Sequence, residues 1–250
     1  MDITKLRVKV FADGAELDQI AKMAADPKIS GFTTNPTLMR KAGVTDYTAF
    51  ARDALAVVGD KPISFEVFAD DLPTMGAQAR EIASWGDNVF VKIPITNTRG
   101  ESAVSLVREL SAAGVQVNVT AMFTRQHVID VTDALDPSTA AVVSVFAGRI
   151  ADTGIDPVPM MRDFKKIVSA KPQAELLWAS PREVLNLIQA DETGCDIITM
   201  AGDQLAKLSS IGKDLDQFSL ETVEMFYKDA QASGFDIPLS SSGAAGATAA

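Results

Sequence analysis

Short apolar and β-branched runs, each followed by a longer amphipathic stretch, recur along most of the chain. The runs near Val8–Phe11, Ser30–Thr33, Ile63–Val67, Val89–Ile93, Gln116–Thr120, Ala141–Phe146, Glu175–Trp178 and Asp196–Thr199 are brief and bounded by turn residues, which predicts eight strands. Between them, segments such as Leu72–Ser84, Ser102–Ala113 and Arg125–Leu135 repeat apolar residues three and four apart and carry charge on the other face, as helices packed on one side do. Pro73, Pro157 or Pro159, and Pro181 suit the first turn of a helix, where the N–H has no intrahelical partner to lose.

Strands alternating with helices pair in parallel through right-handed crossovers, and helices then cover both faces of the sheet. Eight such units within about 250 residues predict an α/β fold, a single (β/α)8 TIM barrel with an additional C-terminal helix over Phe218–Ser233. A doubly wound open sheet is the competing arrangement. The absence of a GxGxxG or GxxxxGK[ST] loop weakens it and offers no nucleotide cofactor site. No linker interrupts the pattern, so residues 1–238 read as one domain and 239–250, a low-complexity SSSGAAGATAA-type tail, as disordered.

Composition narrows the function classes. The 250 residues are 47% hydrophobic and 22% charged, enough apolar material for one large core. A formal charge of -10 opposes anionic polymers at long range, which argues against nucleic acid and acidic membrane surfaces as partners while leaving small anions free to bind locally. The longest apolar stretch, near Ala140–Ala147, is too short to span a bilayer, and MDITKLRVKV lacks the apolar run of a signal peptide. Cys195 is the only cysteine, so no intrachain disulfide forms; a cytoplasmic location is expected. A lone histidine, His127, cannot supply the imidazoles of a metal-dependent aldolase or zinc hydrolase. Solvent contact for His127 and core packing for Cys195, Met160 and Met161 account for these residues without chemistry.

Barrel chemistry sits at the C-terminal ends of strands, so polar residues there are the informative ones. Lys92 interrupts the apolar run NVFVKIPI. Burial favours the neutral, nucleophilic form of such an amine, which can attack a ketone to form a Schiff base; snorkelling out of a strand end is the plainer reading. Glu66 in SFEVFAD on the preceding strand, and Asn118 and Thr120 in VNVTAMF on the following one, place a carboxylate, an amide and a hydroxyl beside it. Such groups can move the protons that expel water from a carbinolamine. Asp13 ends the first strand, Asn35 precedes Pro36 after the second, and Ser144 and Phe146 share parity on the sixth; each also fits a turn, cap or strand end. Arg149 follows the sixth strand, while Ser180 and Arg182 in LLWASPREV read as a helix start suited to a phosphate.

Taken together, FADG, GFTTNPT, SFEVFAD, VFVKIPIT, VNVTAMFT, SVFAGRIADTG and ASPREV, in this order across residues 8–200, resemble the transaldolase family of Schiff-base aldolases. The resemblance implies Lys92 as the Schiff-base lysine, Asp13 as acid and base at the substrate C4 hydroxyl, and Glu66 with Thr120 handling the catalytic water. It also implies Asn35, Asn118 and Ser144 on donor hydroxyls, and Arg149 and Arg182 on the phosphate with Ser180 assisting. Sugar phosphates are then the partners, a homo-oligomer is expected, and no cofactor or metal is needed.

The same resemblance includes relatives that cleave fructose 6-phosphate. Glu66 and Phe146 follow the transferring members, where the cleaving ones tend to have Gln and Tyr. Ser144-Val145-Phe146 departs from the family's Ser-Pro-Phe, and ASPREV from its Ser-Phe-Arg form. A barrel that binds sugar phosphates without turnover is a further reading.

Overall fold

A computed structural model describes residues 5–238, in two compact units that meet in the chain between Ser209 and Ser210. In the first unit, β1 (Lys9–Asp13), β2 (Ile29–Thr33), β3 (Ile63–Glu66), β4 (Val89–Pro94), β5 (Val117–Met122), β6 (Ala141–Val145), β7 (Ala174–Trp178) and β8 (Ile197–Ala201) pair in sequence order. All pairs are parallel, and β8 returns to β1 with Phe11 opposite Thr199 and Asp13 opposite Ala201. That closing pair excludes the open doubly wound sheet and makes the fold a (β/α)8 barrel.

The crossovers are α1 (Leu17–Ala24), α2 (Pro36–Lys41), α3 (Tyr47–Val58), α4 (Leu72–Ala83), α5 (Val104–Ala112), α6 (Arg125–Ala134), α7 (Ala147–Asp152), α8 (Pro157–Val168) and α9 (Leu185–Glu192). A short α10 (Gly202–Ala206) follows the last strand. Side-chain caps start the helices where the sequence places them: Asp71 accepts from the Thr74 N–H, Thr124 from His127 and Asp156 from Val158. Pro181 is a correction to the sequence reading, because α9 begins only at Leu185. The Asn186 side chain accepts the Arg182 and Glu183 N–H groups, holding this stretch as a loop ahead of the helix.

Each strand is buried by helices outside and by its neighbours within. Phe11, Val142, Leu177, Ala179 and Ile197 pack into one cluster, with Phe90 and Phe146 against it. Gly31 on β2 is required there, since a Cβ would stand 2.5 Å from the Phe11 ring.

The second unit contains α11 (Leu215–Ser233), which starts with Asp214 accepting from the Gln217 N–H and ends at a left-handed Gly234. It covers the helix expected over Phe218–Ser233. The tail expected over 239–250 lies outside the described residues.

Candidate active site

A cavity of about 560 Å3 opens at the C-terminal ends of the strands and is lined by all eleven residues singled out in the sequence. Lys92 projects into it from β4, with β3 placing Glu66 directly opposite and β5 placing Asn118. Only 8% of Lys92 is exposed; its Nζ donates to the Thr34 carbonyl at 2.8 Å and lies 3.4 Å from a Glu66 carboxylate oxygen. Two unit charges at that separation attract by roughly 5 kcal/mol at an effective dielectric constant of about 20. Desolvating a buried ion costs several kcal/mol, so Glu66 and the Thr34 carbonyl together are what let an amine sit here.

On the other side of Lys92, the Thr33 hydroxyl donates to Asp13 at 2.8 Å and contacts the Thr199 hydroxyl. Because Thr33 spends its proton on Asp13, Thr199 is the donor in that contact. Burial pushes the Asp13 carboxyl above its ordinary value, outweighing the Lys92 charge and the hydrogen bonds from Thr33 and Asn35 that pull it down. Asn35 also caps α2, its side-chain oxygen accepting from the Leu38 N–H at 3.0 Å, with Pro36 next in the first turn. Asn118 is fixed from both sides, donating to Ser64 at 2.9 Å and accepting from Ser144 at 2.6 Å. Thr120, also buried, lies beside Ala121, whose φ of 59° accompanies an irregularity in the pairing of β5 with β6. Parity therefore brings Asn118 and Thr120 to the same cavity, as their spacing of two predicts.

The far end of the cavity is cationic. Phe146 precedes α7, and the Arg149 guanidinium stands over its ring at 5.1 Å. Ser180 adopts φ of 55°, and its carbonyl packs so closely on Gly148 that a Cβ there would be 1.6 Å from the oxygen. Glycine at 148 lets the first turn of α7 touch the loop after β7, and Arg149, Ser180 and Arg182 line the same end of the cavity. The helix-start reading of Ser180 and Arg182 is corrected: both lie in the loop, and the Arg182 N–H is already taken by Asn186 at 2.7 Å. Arg182 itself holds the Asp152 carboxylate, through Nε at 2.9 Å and through a second nitrogen, which keeps that carboxyl below its usual range.

Several participants were not marked by the sequence reading. Thr199 carries the same signal as Lys92, a polar residue within an apolar run, and Thr33 is the partner of Asp13 across β1 and β2. Lys41, at the end of α2, also lines the cavity. His127 is half-buried and accepts from the Phe123 N–H at 3.4 Å, a firmer tie than the solvated helix face expected of it. Cys195 is buried, and Met161 packs in the core. Among the described residues, no three His, Cys, Asp or Glu side chains converge as metal ligands, and no helix is long and apolar enough to cross a membrane.

Comparison with known proteins adds to this geometry. Residues 10–237 match the family described as Transaldolase/Fructose-6-phosphate aldolase. A "Probable transaldolase" of Dehalococcoides mccartyi is 35% identical over 194 residues, covering 77% of this chain and 86% of the relative. Another, from Methanococcus maripaludis, is 35% identical over 202 residues, 80% and 89% of the two chains. Among solved structures, KGPDC from Streptococcus mutans superposes with a TM-score of 0.53 at 11% identity, covering 79% of this chain and 88% of that one; it shares the barrel.

Proposed function

The chain belongs to the Transaldolase/Fructose-6-phosphate aldolase family, and from that premise we propose that it is a transaldolase of carbohydrate metabolism that works through a Schiff base on Lys92. The donor is a ketose phosphate such as sedoheptulose 7-phosphate or fructose 6-phosphate, and the acceptor an aldose phosphate, as in the pentose phosphate pathway. One observation carries the reading: an almost fully buried amine within 3.4 Å of a carboxylate, on the wall of a polar cavity at the catalytic end of the barrel.

Lys92 passes a proton to the neighbouring Glu66 carboxylate, the freed amine adds to the C2 ketone, and Glu66 with Thr120 shuttles the protons that release water and leave an iminium. Asp13 takes the proton of the C4 hydroxyl, the C3–C4 bond breaks, and its electron pair moves into the iminium to give an enamine and a free aldose phosphate. The incoming aldehyde accepts the enamine carbon while protonated Asp13 returns its proton to the new hydroxyl. Hydrolysis then releases the product and restores the amine. Asn35, Asn118 and Ser144 hold the donor hydroxyls, and Arg149, Arg182 and Ser180 hold the phosphate. Glu66 and Phe146 stand where the family resemblance puts residues of transferring members, which favours transfer over simple cleavage.

Incubation with fructose 6-phosphate followed by borohydride and peptide mass spectrometry is expected to give a reduced adduct on Lys92. With erythrose 4-phosphate present, the three-carbon unit should appear in sedoheptulose 7-phosphate. Release of free dihydroxyacetone with no transfer would make the protein an aldolase, and no adduct on Lys92 would remove the Schiff-base reading altogether.

A further inference from the structure

Tyr47, the first residue of α3, makes an unusual pair of hydrogen bonds. Its hydroxyl accepts from the Glu66 N–H at 2.8 Å and contacts the Glu66 carbonyl at 3.0 Å, where it is the donor. The hydroxyl thus satisfies both backbone groups of the residue whose carboxylate faces Lys92. The ring is locked by neighbours: Phe65 and Trp85 meet it edge-on at 6.2 and 5.6 Å, and Phe68 lies at 4.5 Å.

The β2–β3 ladder gives this contact its meaning. Phe32 donates to Pro62 and Thr34 donates to Ser64, so the alternation of a parallel pair directs the next β3 donor, the Glu66 N–H, to the Thr34 carbonyl. That bond is not made. Register between the two strands ends at Thr33 and Ser64, because the chain turns into α2 at Asn35 and Pro36. The Thr34 carbonyl instead receives the Lys92 amine at 2.8 Å. One acceptor has two candidate donors, and the Tyr47 hydroxyl takes the second.

We propose that Tyr47 is a positioning residue for the reactive lysine: by accepting the Glu66 N–H in place of the strand partner, it leaves the Thr34 carbonyl to hold Lys92 and fixes the Glu66 carboxylate beside it. Without the hydroxyl, the partly buried Glu66 N–H loses its acceptor, and the ladder directs it onto the same Thr34 carbonyl that holds Lys92, displacing the amine from its place there. The amine and the carboxylate then lose their mutual placement, while Asn118 and Ser144 on β5 and β6 and the phosphate-binding Arg149, Ser180 and Arg182 make no contact with Tyr47. This role rests on the Schiff-base reading of Lys92.

Tyr47→Phe keeps the aromatic packing and removes only the hydroxyl. In rapid mixing of fructose 6-phosphate with excess enzyme, followed by borohydride quenching, the rate of adduct formation on Lys92 is expected to fall roughly tenfold, short of the roughly 100-fold that a full ångström of misplacement can cost. The sugar concentration giving half the maximal rate should stay within about a factor of two, since phosphate and hydroxyl contacts remain. Trp85→Phe serves as the packing control; it erodes the same aromatic cluster without touching Glu66, and melting temperatures are measured for both variants. An unchanged rate in Tyr47→Phe, with wild type trapped on Lys92, overturns the positioning role alone. An equal rate loss in Trp85→Phe at a matched fall in melting temperature also overturns it. Failure of wild type to form the Lys92 adduct overturns the Schiff-base reading itself.

Discussion

Asp13 is the residue where function opposes stability most directly. Its carboxyl is raised above the ordinary 3.8 by burial, so in the interval between 3.8 and the native value the folded chain holds a proton that the unfolded chain has released. The group's favourable contribution to folding is complete below 3.8 and is lost as pH rises through the native value. Asp13→Asn is therefore expected to melt at a higher temperature than wild type at pH 7, with the difference closing as pH approaches 4. The same variant should lose on the order of 100-fold or more in turnover, as removal of a general base does. Wild-type kcat/KM should decline on the acid side at a pH above that of an ordinary aspartate. Cys195 gives a simpler test. Burial pushes its thiol up to about 12, so a thiol reagent at pH 8 should label no cysteine in native protein and one per chain in guanidinium. Site residues legible in the sequence share a mark: Lys92, Glu66, Asn118 and Ser144 are polar where a strand calls for apolar side chains. Tyr47 bears no such mark, because a tyrosine at a helix start looks like any amphipathic residue until the ladder beside it is seen to end.

At the level of elements, eight short runs and their intervening helices were readable because burial of both sheet faces writes a continuous apolar signal. Ends were less so. The run Val8–Phe11 stops short of Asp13, and Ile63–Val67 overshoots Glu66, since backbone pairing and not hydropathy decides where a strand finishes. The six-residue helices α2 and α7 went unread because two turns are too short for a periodic face, yet they hold Lys41 and Arg149 at the cavity. The contact between the start of α7 and the loop after β7 is invisible in sequence apart from one glycine. Gly148→Ala is expected to destabilise by roughly 3 kcal/mol, from the clash of its Cβ with the Ser180 carbonyl. Parting α7 from that loop should raise KM for a phosphorylated sugar more than for its unphosphorylated counterpart, measurable by denaturant unfolding and steady-state kinetics.

The whole molecule combines a net charge of -10 with a cationic end to its cavity. At a screening length of about 10 Å in 0.1 M salt, a small bound anion senses Arg149 and the Arg182–Asp152 pair far more than charges more than a screening length away. Every strand or the loop that follows it contributes to the cavity, so the site exists only when the barrel has closed. Pairings of β1 with β8 span the longest sequence separation in the sheet and carry the largest loop-closure cost. During refolding from denaturant, recovery of activity should lag behind recovery of far-ultraviolet circular dichroism; coincident time courses would mean that the site forms without that closure.

The hydroxyl pair of Thr33 and Thr199 lies across this seam and steadies Asp13. Translation delivers Asp13 and Thr33 early, and Thr199 only 166 residues after Thr33. A nonsense codon between the codons for Phe146 and Ile197 thus specifies a polypeptide containing Lys92, Asp13, Glu66, Asn35 and Asn118, yet lacking β8, whose Thr199 braces Thr33 beside Asp13. Such a message codes for nearly all of the chemistry and for none of the catalyst.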